Sequence, residues 1–157
     1  MSFTADPRSM TGRQMLQAAI DSGRQPPMMV TLGFRLVEVS DGRAVFEGEP
    51  SEAVYNPLGS VHGGYAAALL DSACGCAVHA ALPAGRTYTT LELKIALHRG
   101  MTKDTGTVRC EGAILSVGRR VGFSEAKLTD RDGRLLASAS STLLVFDIDD
   151  TARPRGS

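Results

Sequence analysis

The chain has 157 residues, 43% of them hydrophobic and 22% charged, which is ordinary for one globular domain with its own core. Its 17 basic side chains balance its 17 acidic ones, it has no tryptophan, and only 5% of its residues are aromatic. Because no basic face or aromatic-basic pattern is visible, the composition argues against nucleic-acid binding and against attachment to an anionic membrane surface.

The three cysteines, Cys74, Cys76 and Cys110, show neither the C-x-x-C spacing of a redox pair nor the spacing of a zinc site. Two of them lie two residues apart in a predicted helix, where they point to different faces. The N-terminus lacks the basic-then-apolar pattern of a signal peptide. We therefore expect buried free thiols, a cytoplasmic location, no metal site and no cofactor.

Residues 1–29 are predicted to form an extension before the main domain, residues 30–147. Apolar residues recur at helical spacing after Thr11 and stop near Gly23, which predicts one short amphipathic helix. The main domain then begins with alternating apolar residues at 32–36, which are typical of a strand. A D-G turn at 41–42 follows, and it predicts a hairpin with a return strand.

The most informative stretch is residues 56–82, which reads NPLGSVHGGYAAALLDSACGCAVHAAL. Its second part is apolar nearly all round, which is typical of a buried helix. Asp71 and His79 interrupt the apolar run and Pro83 follows it, so the segment does not fit a membrane span. Asp71 is the only carboxylate in the stretch, and a buried carboxylate is costly unless it is paired or used.

Gly63 and Gly64 open this helix, where the first backbone N–H groups have no intrahelical partner and favour negative charge. A carbonyl oxygen docked there would be polarised, and a developing oxyanion would be stabilised. Asp71 lies eight residues after Gly63, roughly 12 Å along a helix. One helix cannot place both groups on one carbonyl, whereas two antiparallel helices can. The spacing therefore predicts a site shared by two subunits.

The remainder of the main domain is predicted to be β-sheet, with strands over residues 90–97, 105–117, 121–129 and 134–146. The alternation slips near residues 124–126, which indicates a bulge. Residues 148–157 are polar and are predicted to be a flexible tail. One antiparallel sheet wrapped on one helix belongs to the α+β class. Because such a sheet covers only one side of an apolar helix, we expect a second subunit against the other side.

The loop before the helix and the helix itself carry the motif N-P-x-G-x-x-H-G-G, with an aspartate nine residues past the histidine. Its residues are Asn56, Pro57, Gly59, His62, Gly63, Gly64 and Asp71. The strand TTLELKIALHRG, the turn at residues 118–120 and the ending DRDGRLLASASSTLLVF accompany the motif. With them, the chain resembles the hotdog-fold acyl-CoA thioesterases of the phenylacetate-pathway (PaaI-like) group over residues 30–146.

This resemblance implies the hotdog fold, an α+β architecture in which an antiparallel β-sheet wraps around one long central helix. It also implies a homodimer, often paired again into a homotetramer. The expected reaction is hydrolysis of an acyl- or aryl-CoA to a carboxylic acid and free CoA. The thioester would lie between two antiparallel central helices, in agreement with the distance argument above.

The resemblance also assigns roles to single residues. Asp71 would attack the thioester or activate water, and the sequence leaves these two roles open. The Gly63 N–H would bind the thioester oxygen, Asn56 would position the water or the carbonyl, and His62 would orient the site. The residues expected to contact substrate and CoA are Gly64, Thr90, Leu91, Gly118, Arg119 and Arg120. The residues expected to line the acyl pocket are Ala66, Ala67 and Leu70, together with strand residues of both subunits.

Two other functions stay open at this stage. An enoyl-CoA hydratase or dehydratase on the same fold would use a paired histidine and acidic residue, whereas here Asp71 faces a glycine N–H. A non-catalytic acyl-CoA-binding protein is the other alternative, because a fold alone does not give a function. His79 and His98 are interpreted as structural or exposed side chains.

Overall fold

The computed structural model of the protein describes Asp6 and residues 8–149. The helices in this part of the chain are α1 (Gly12–Ser22), α2 (Pro27–Leu32) and α3 (Gly63–Ala80). The strands are β1 (Phe34–Ser40), β2 (Arg43–Gly48), β3 (Arg86–Leu97), β4 (Val108–Val117), β5 (Val121–Thr129) and β6 (Leu135–Asp147). Two single-turn 3-10 helices, Glu52–Val54 and Lys103–Thr105, lie in loops.

The six strands form one antiparallel sheet in the order β1-β2-β4-β5-β6-β3, and this sheet wraps around α3. Because α3 contacts every strand, the core lies between the helix and the inner face of the sheet. Its largest fully buried apolar side chains include Phe46, Leu69, Leu70, Leu128 and Leu143. The architecture confirms the predicted α+β class, with a sheet wrapped around one long helix.

The central helix begins at the predicted glycines because His62 caps it. The His62 Nδ1 accepts a hydrogen bond of 2.8 Å from the Gly64 N–H, which satisfies one of the free donors at the helix start. Most residues of α3 are buried. A Cβ on Gly112 of β4 would lie 2.2 Å from the Ala73 carbonyl oxygen. Since no Cβ can sit so close, glycine lets the sheet pass directly over the helix.

The predicted N-terminal helix is confirmed as α1, but the strand prediction at residues 32–36 is wrong at its start. Leu32 ends α2, Gly33 follows with a φ of 71°, and β1 begins at Phe34. A six-residue helix offers too few periodic positions to stand out in the sequence. The predicted domain bounds, 1–29, 30–147 and 148–157, stay a prediction; the first boundary falls inside α2, and most of the predicted tail lies outside the described residues.

The bulge predicted near residues 124–126 is wrong in its place. Strand β5 alternates regularly, with Ser124 buried and Phe123 exposed, and the extra residue is Leu115 on the neighbouring β4. The inner side of β5 must be small here, because a Cβ on Gly122 would lie 2.9 Å from the Val78 side chain. The small polar Ser124 faces inward and the aromatic Phe123 faces outward. This reverses the usual apolar-inside pattern, so the alternation of apolar residues in the sequence wrongly indicated a shift here.

Helix α1 lies across the C-terminal end of α3. The Gly12 N–H donates a hydrogen bond of 3.1 Å to the Leu82 carbonyl oxygen. A Cβ on Gly12 would lie 1.8 Å from the His79 carbonyl oxygen, so only glycine permits this approach. Among the described residues, no helix is both long enough and apolar enough to span a lipid bilayer.

Candidate active site

Asp71 lies in the middle of α3 and is half-buried. The Thr90 Oγ1 donates a hydrogen bond of 2.9 Å to the Asp71 Oδ1. No other hydrogen bond to this carboxylate occurs within the described part of the chain. Thr90, expected to contact the substrate, therefore touches the predicted catalytic group itself, and it leaves the second carboxylate oxygen open for chemistry.

A bulge in β3 brings the Thr90 hydroxyl to this position. The pairing of β3 with β6 shifts between Thr90 and Glu92, so that Leu91 is the extra residue. Thr90 and Leu93 consequently face inward, while Leu91 is 58% exposed. The strict alternation predicted for residues 90–97 is broken at this point, and within one subunit Leu91 faces away from Asp71.

Asp71 lies in the wall of a cavity of about 800 Å³ between α1, α3 and β3. Drug-sized ligands bind in cavities of roughly 300–1,000 Å³. The lining residues are Met15, Leu16, Ala19, Arg24, Gln25, Pro26, Pro27, Met29, Leu36, Phe46, Asp71, Cys76, His79 and residues 87–90. The expected pocket residues Ala66 and Leu70 are instead fully buried in the core and do not line this cavity.

His79 lies two helical turns beyond Asp71, roughly 12 Å along α3, and lines the same cavity. It is only 8% exposed, which agrees with the interpretation as a structural side chain and not as an exposed one. Burial lowers the pKa of His79, which favours the neutral ring. Its Nε2 is buried without a hydrogen-bond partner among the described residues, and its ring packs edge-on against Tyr88 at 5.5 Å.

The thiol in the cavity wall is poorly suited to act as a nucleophile. Burial raises the pKa of Cys76 to about 12, which keeps the thiol protonated at neutral pH. Burial likewise raises the pKa of the other two thiols, Cys74 and Cys110, and all three are free cysteines, as predicted. Among the described residues that line this cavity, Asp71 is the only one with a carboxylate.

Gly63 is the first residue of α3, eight residues and roughly 12 Å before Asp71. It does not line the Asp71 cavity. Its N–H forms no hydrogen bond within residues 8–149. One subunit thus holds an open N–H donor and an open carboxylate at two separate places, as the spacing predicted.

The remaining motif residues shape the N-terminal end of α3 and the loop before it. Because the His62 ring holds the Gly64 N–H, this donor is not free for a ligand. The Asn56 Oδ1 accepts hydrogen bonds from the N–H groups of Leu58 and Ser60, at 2.9 and 3.3 Å. Asn56 and His62 therefore shape the loop that presents the Gly63 N–H, and within one subunit neither residue lines the Asp71 cavity.

The turn predicted to bind CoA lies at the C-terminal end of α3. Gly118 and Arg119 line a second cavity of about 440 Å³ together with Leu82 and Pro83. The Arg119 carbonyl oxygen accepts a hydrogen bond from the guanidinium of Arg86. Within one subunit this turn is separate from the Asp71 cavity.

A six-stranded antiparallel sheet around one long buried helix is the architecture of the hotdog fold, and here a carboxylate lies in the middle of that helix. The sequence profile of the thioesterase superfamily matches residues 58–137, just over half of the chain. The chain therefore belongs to the thioesterase superfamily, and it is a thioester hydrolase. This confirms the predicted class of enzyme.

Individual relatives support the same assignment. The 1,4-dihydroxy-2-naphthoyl-CoA hydrolase of Listeria monocytogenes is 29% identical over 115 residues, which cover 73% of this chain and 92% of the relative. Among solved structures, the conserved protein PA5202 of Pseudomonas aeruginosa is 29% identical with a TM-score of 0.73, covering 78% of this chain and 95% of its own. The PaaI protein of E. coli has a TM-score of 0.75 at 17% identity, covering 87% and 96%, and so shares the fold.

Proposed function

We propose that this thioesterase hydrolyses acyl-CoA thioesters, with Asp71 as the catalytic carboxylate and with each active site completed by a second subunit. The observation that carries the proposal is an open carboxylate oxygen in the wall of a largely apolar cavity large enough for an acyl group. The relative named as a CoA-thioester hydrolase supports CoA as the thiol.

The reaction needs one carboxylate and one oxyanion donor. The Gly63 N–H polarises the thioester carbonyl and stabilises the negative charge that develops on its oxygen. Asp71 either attacks the carbonyl carbon, forming an anhydride that water then hydrolyses, or removes a proton from an attacking water. Both routes break the C–S bond, release CoA as the thiol and leave the carboxylic acid. Thr90 holds one Asp71 oxygen, so the other oxygen performs either step.

The length of the helix supports a second subunit at each site. Roughly 12 Å of helix separate Gly63 from Asp71 within a chain, so an antiparallel partner helix would supply the donor for each carboxylate. Strand β3, next to Asp71, is an outer strand of the sheet and exposes Leu91 and Leu97 by 58% and 57%. Such an edge is suited to pair with a second copy. We expect a homodimer that pairs again into a homotetramer.

The CoA portion would lie near the turn at residues 118–120. The Gly118 N–H closes the turn with a hydrogen bond of 2.8 Å to the Val121 carbonyl oxygen, and the guanidinium groups of Arg119 and Arg120 can bind phosphate oxygens in pairs. The turn is tied to β6, because the Arg120 carbonyl oxygen accepts a hydrogen bond of 2.8 Å from the Val145 N–H. Asn56 and His62 would act by holding the loop that presents the Gly63 N–H.

Asp71→Asn tests the catalytic assignment. Asparagine keeps the size of the side chain and can still accept the Thr90 hydrogen bond, but it can neither attack the thioester nor remove a proton. We expect kcat/KM to fall about 10²–10⁴-fold, measured as free thiol released from a panel of acyl- and aryl-CoAs. Asp104→Asn, at an exposed carboxylate, is the matched control. Undiminished hydrolysis by Asp71→Asn would exclude Asp71 from the mechanism.

A further inference from the structure

Arg86 is the first residue of β3, and its side chain joins three parts of the sheet. Arg86 lies opposite Asp147 of β6, and the Arg86 Nη1 lies 3.3 Å from the Asp147 Oδ1. The Arg86 Nη2 donates a hydrogen bond to the Arg119 carbonyl oxygen, in the turn between β4 and β5. Because β6 lies between β3 and β5, this guanidinium ties the turn at residues 118–120 to a strand two places away in the sheet.

The arrangement leaves one donor of Arg86 unpaired. The Nε–H is buried and has no hydrogen-bond partner among the described residues. A buried donor without a partner destabilises a protein, and packed apolar side chains often replace buried ionic groups without loss of stability. Leu82, Val117 and Val145 line the neighbouring cavity, so an apolar side chain would suit this place. Stability alone therefore does not account for an arginine here, and its bond to Arg119 points to a role in binding.

The turn that Arg86 holds presents two unpaired guanidinium groups. Arg119 and Arg120 are exposed, and within the described part of the chain neither side chain forms an ion pair or a hydrogen bond. By contrast, Arg43 of β2 and Arg109 of β4 each form ion pairs with two glutamates. The Arg86 bond holds one carbonyl of the turn, and an N–H of β6 holds the next one. The backbone of the turn is thus fixed, while its two cationic groups stay available for an anion.

We propose that Arg86 is a positioning residue for the nucleotide of CoA: it fixes the turn so that Arg119 and Arg120 bind the phosphates. The inference rests on the proposed function, which places CoA at this turn. A turn that is already ordered loses less conformational freedom when a ligand binds, so the ligand binds more tightly. The guanidinium can hold the Asp147 carboxylate and the Arg119 carbonyl together, because its N–H groups point in fixed directions. A lysine has the same charge but lacks this fork.

Substitutions of Arg86 test this role through the binding of CoA. Arg86→Met removes every donor, and Arg86→Lys keeps the charge without the fork. The dissociation constant of CoA is measured by calorimetry, after circular dichroism has confirmed the fold of each variant. We expect both substitutions to raise it about tenfold, the loss that one hydrogen bond to a charged group can cause. Arg134→Met is the matched control, because Arg134 pairs with aspartates at a different turn, and it should bind CoA like the wild type.

A truncated substrate separates the positioning of phosphates from a general loss of structure. Phenylacetyl-CoA and phenylacetyl-pantetheine carry the same thioester, but the second has no nucleotide and no phosphate. In Arg86→Met, KM for phenylacetyl-CoA should rise about tenfold with kcat unchanged, whereas the kinetics of phenylacetyl-pantetheine should stay the same. Equal losses with both substrates would show that Arg86 supports only the fold. Full recovery of CoA binding in Arg86→Lys would show that charge alone suffices, and either result would overturn the inference.

A double variant, Arg119→Ala with Arg120→Ala, distinguishes this inference from the proposed position of CoA. If the double variant weakens CoA binding and Arg86→Met does not, CoA lies at the turn and Arg86 does not position it. If the double variant binds CoA as tightly as the wild type, the proposed position of CoA is refuted, and the role of Arg86 with it. The calorimetric results hold even if the wild type hydrolyses no thioester, which would refute only the proposed reaction.

Discussion

Thr90 gives the two oxygens of Asp71 different environments. The Thr90 Oγ1 holds the Oδ1 at 2.9 Å, and the second oxygen has no partner among the described residues. This geometry depends on the bulge at Leu91, which turns Thr90 inward at the level of Asp71. The motif identified Asp71 from the sequence, because an aspartate is conspicuous in an apolar helix. The contact with Thr90 was not predictable, since it requires the register of a separate strand.

Thr90→Val tests whether the hydroxyl positions the carboxylate. Valine keeps the shape of the side chain and removes the donor, and a hydrogen bond to a charged group contributes about 1.5–3 kcal/mol. We expect kcat to fall about 10- to 100-fold with a smaller change in KM, measured by steady-state kinetics. Thr90→Ser, which keeps a hydroxyl, should recover most of the loss. An effect on KM alone would return Thr90 to the substrate-contact role expected from the sequence.

At the scale of elements, local patterns predicted most of the fold. The D-G turn at 41–42 predicted the hairpin of β1 and β2, and the apolar run after His62 predicted that α3 is a buried helix. Both signals are local, because the turn type and the apolar character of a helix can be read from neighbouring residues. Helix α2 was missed because it is only six residues long.

The wall of the cavity could not be predicted, because it depends on which elements pack together. The amphipathic pattern of residues 12–22 predicts a helix with one apolar side, but it does not say that this side lies over α3. Assigning residues 1–29 to a separate extension placed this helix outside the candidate site. The position of His79 in this wall was not predicted for the same reason, since it lies between Gly12 of α1 and Tyr88 of β3. The glycine at position 12 was the one available signal of a close helix contact.

Gly12→Val tests the docking of α1 as an element. The added side chain cannot fit, because a Cβ would lie 1.8 Å from the His79 carbonyl oxygen, so α1 must shift. Forcing extra volume into a packed contact costs about 1–3 kcal/mol. We expect a decrease of this size in the free energy of unfolding, measured by urea denaturation. The neighbouring exposed substitution, Arg13→Ala, should change it little. Equal stability of Gly12→Val and the wild type would show that α1 is not held at Gly12.

At the scale of the whole molecule, a single subunit leaves two functional groups incomplete. Neither the Gly63 N–H nor the second Asp71 oxygen has a hydrogen-bond partner among the described residues, and the two groups lie at two places along α3. An antiparallel partner helix would bring the Gly63 N–H of one subunit next to the Asp71 carboxylate of the other. The partner would also cover the outer side of β3. The central claim is therefore that Asp71 of one subunit works with Gly63 of another.

Complementation between two inactive variants tests this claim most directly. Asp71→Asn removes the carboxylate, and Gly63→Pro removes the N–H donor at the first helical position, where proline is tolerated. The added Cβ of proline meets only the flexible end of Leu97, at 2.9 Å. Loss of an oxyanion donor costs about 10²–10³-fold in kcat. Gly63→Ala, which adds a Cβ but keeps the N–H, should lose less activity than Gly63→Pro.

The measurement is the rate of acyl-CoA hydrolysis by a purified heterodimer that contains one Asp71→Asn subunit and one Gly63→Pro subunit, obtained with two different affinity tags. If each site combines groups from both subunits, the heterodimer has one site with both defects and one intact site. Its activity should then recover to about half that of the wild type. A heterodimer as inactive as its two parents, or a protein that stays monomeric in analytical ultracentrifugation, would contradict the shared site.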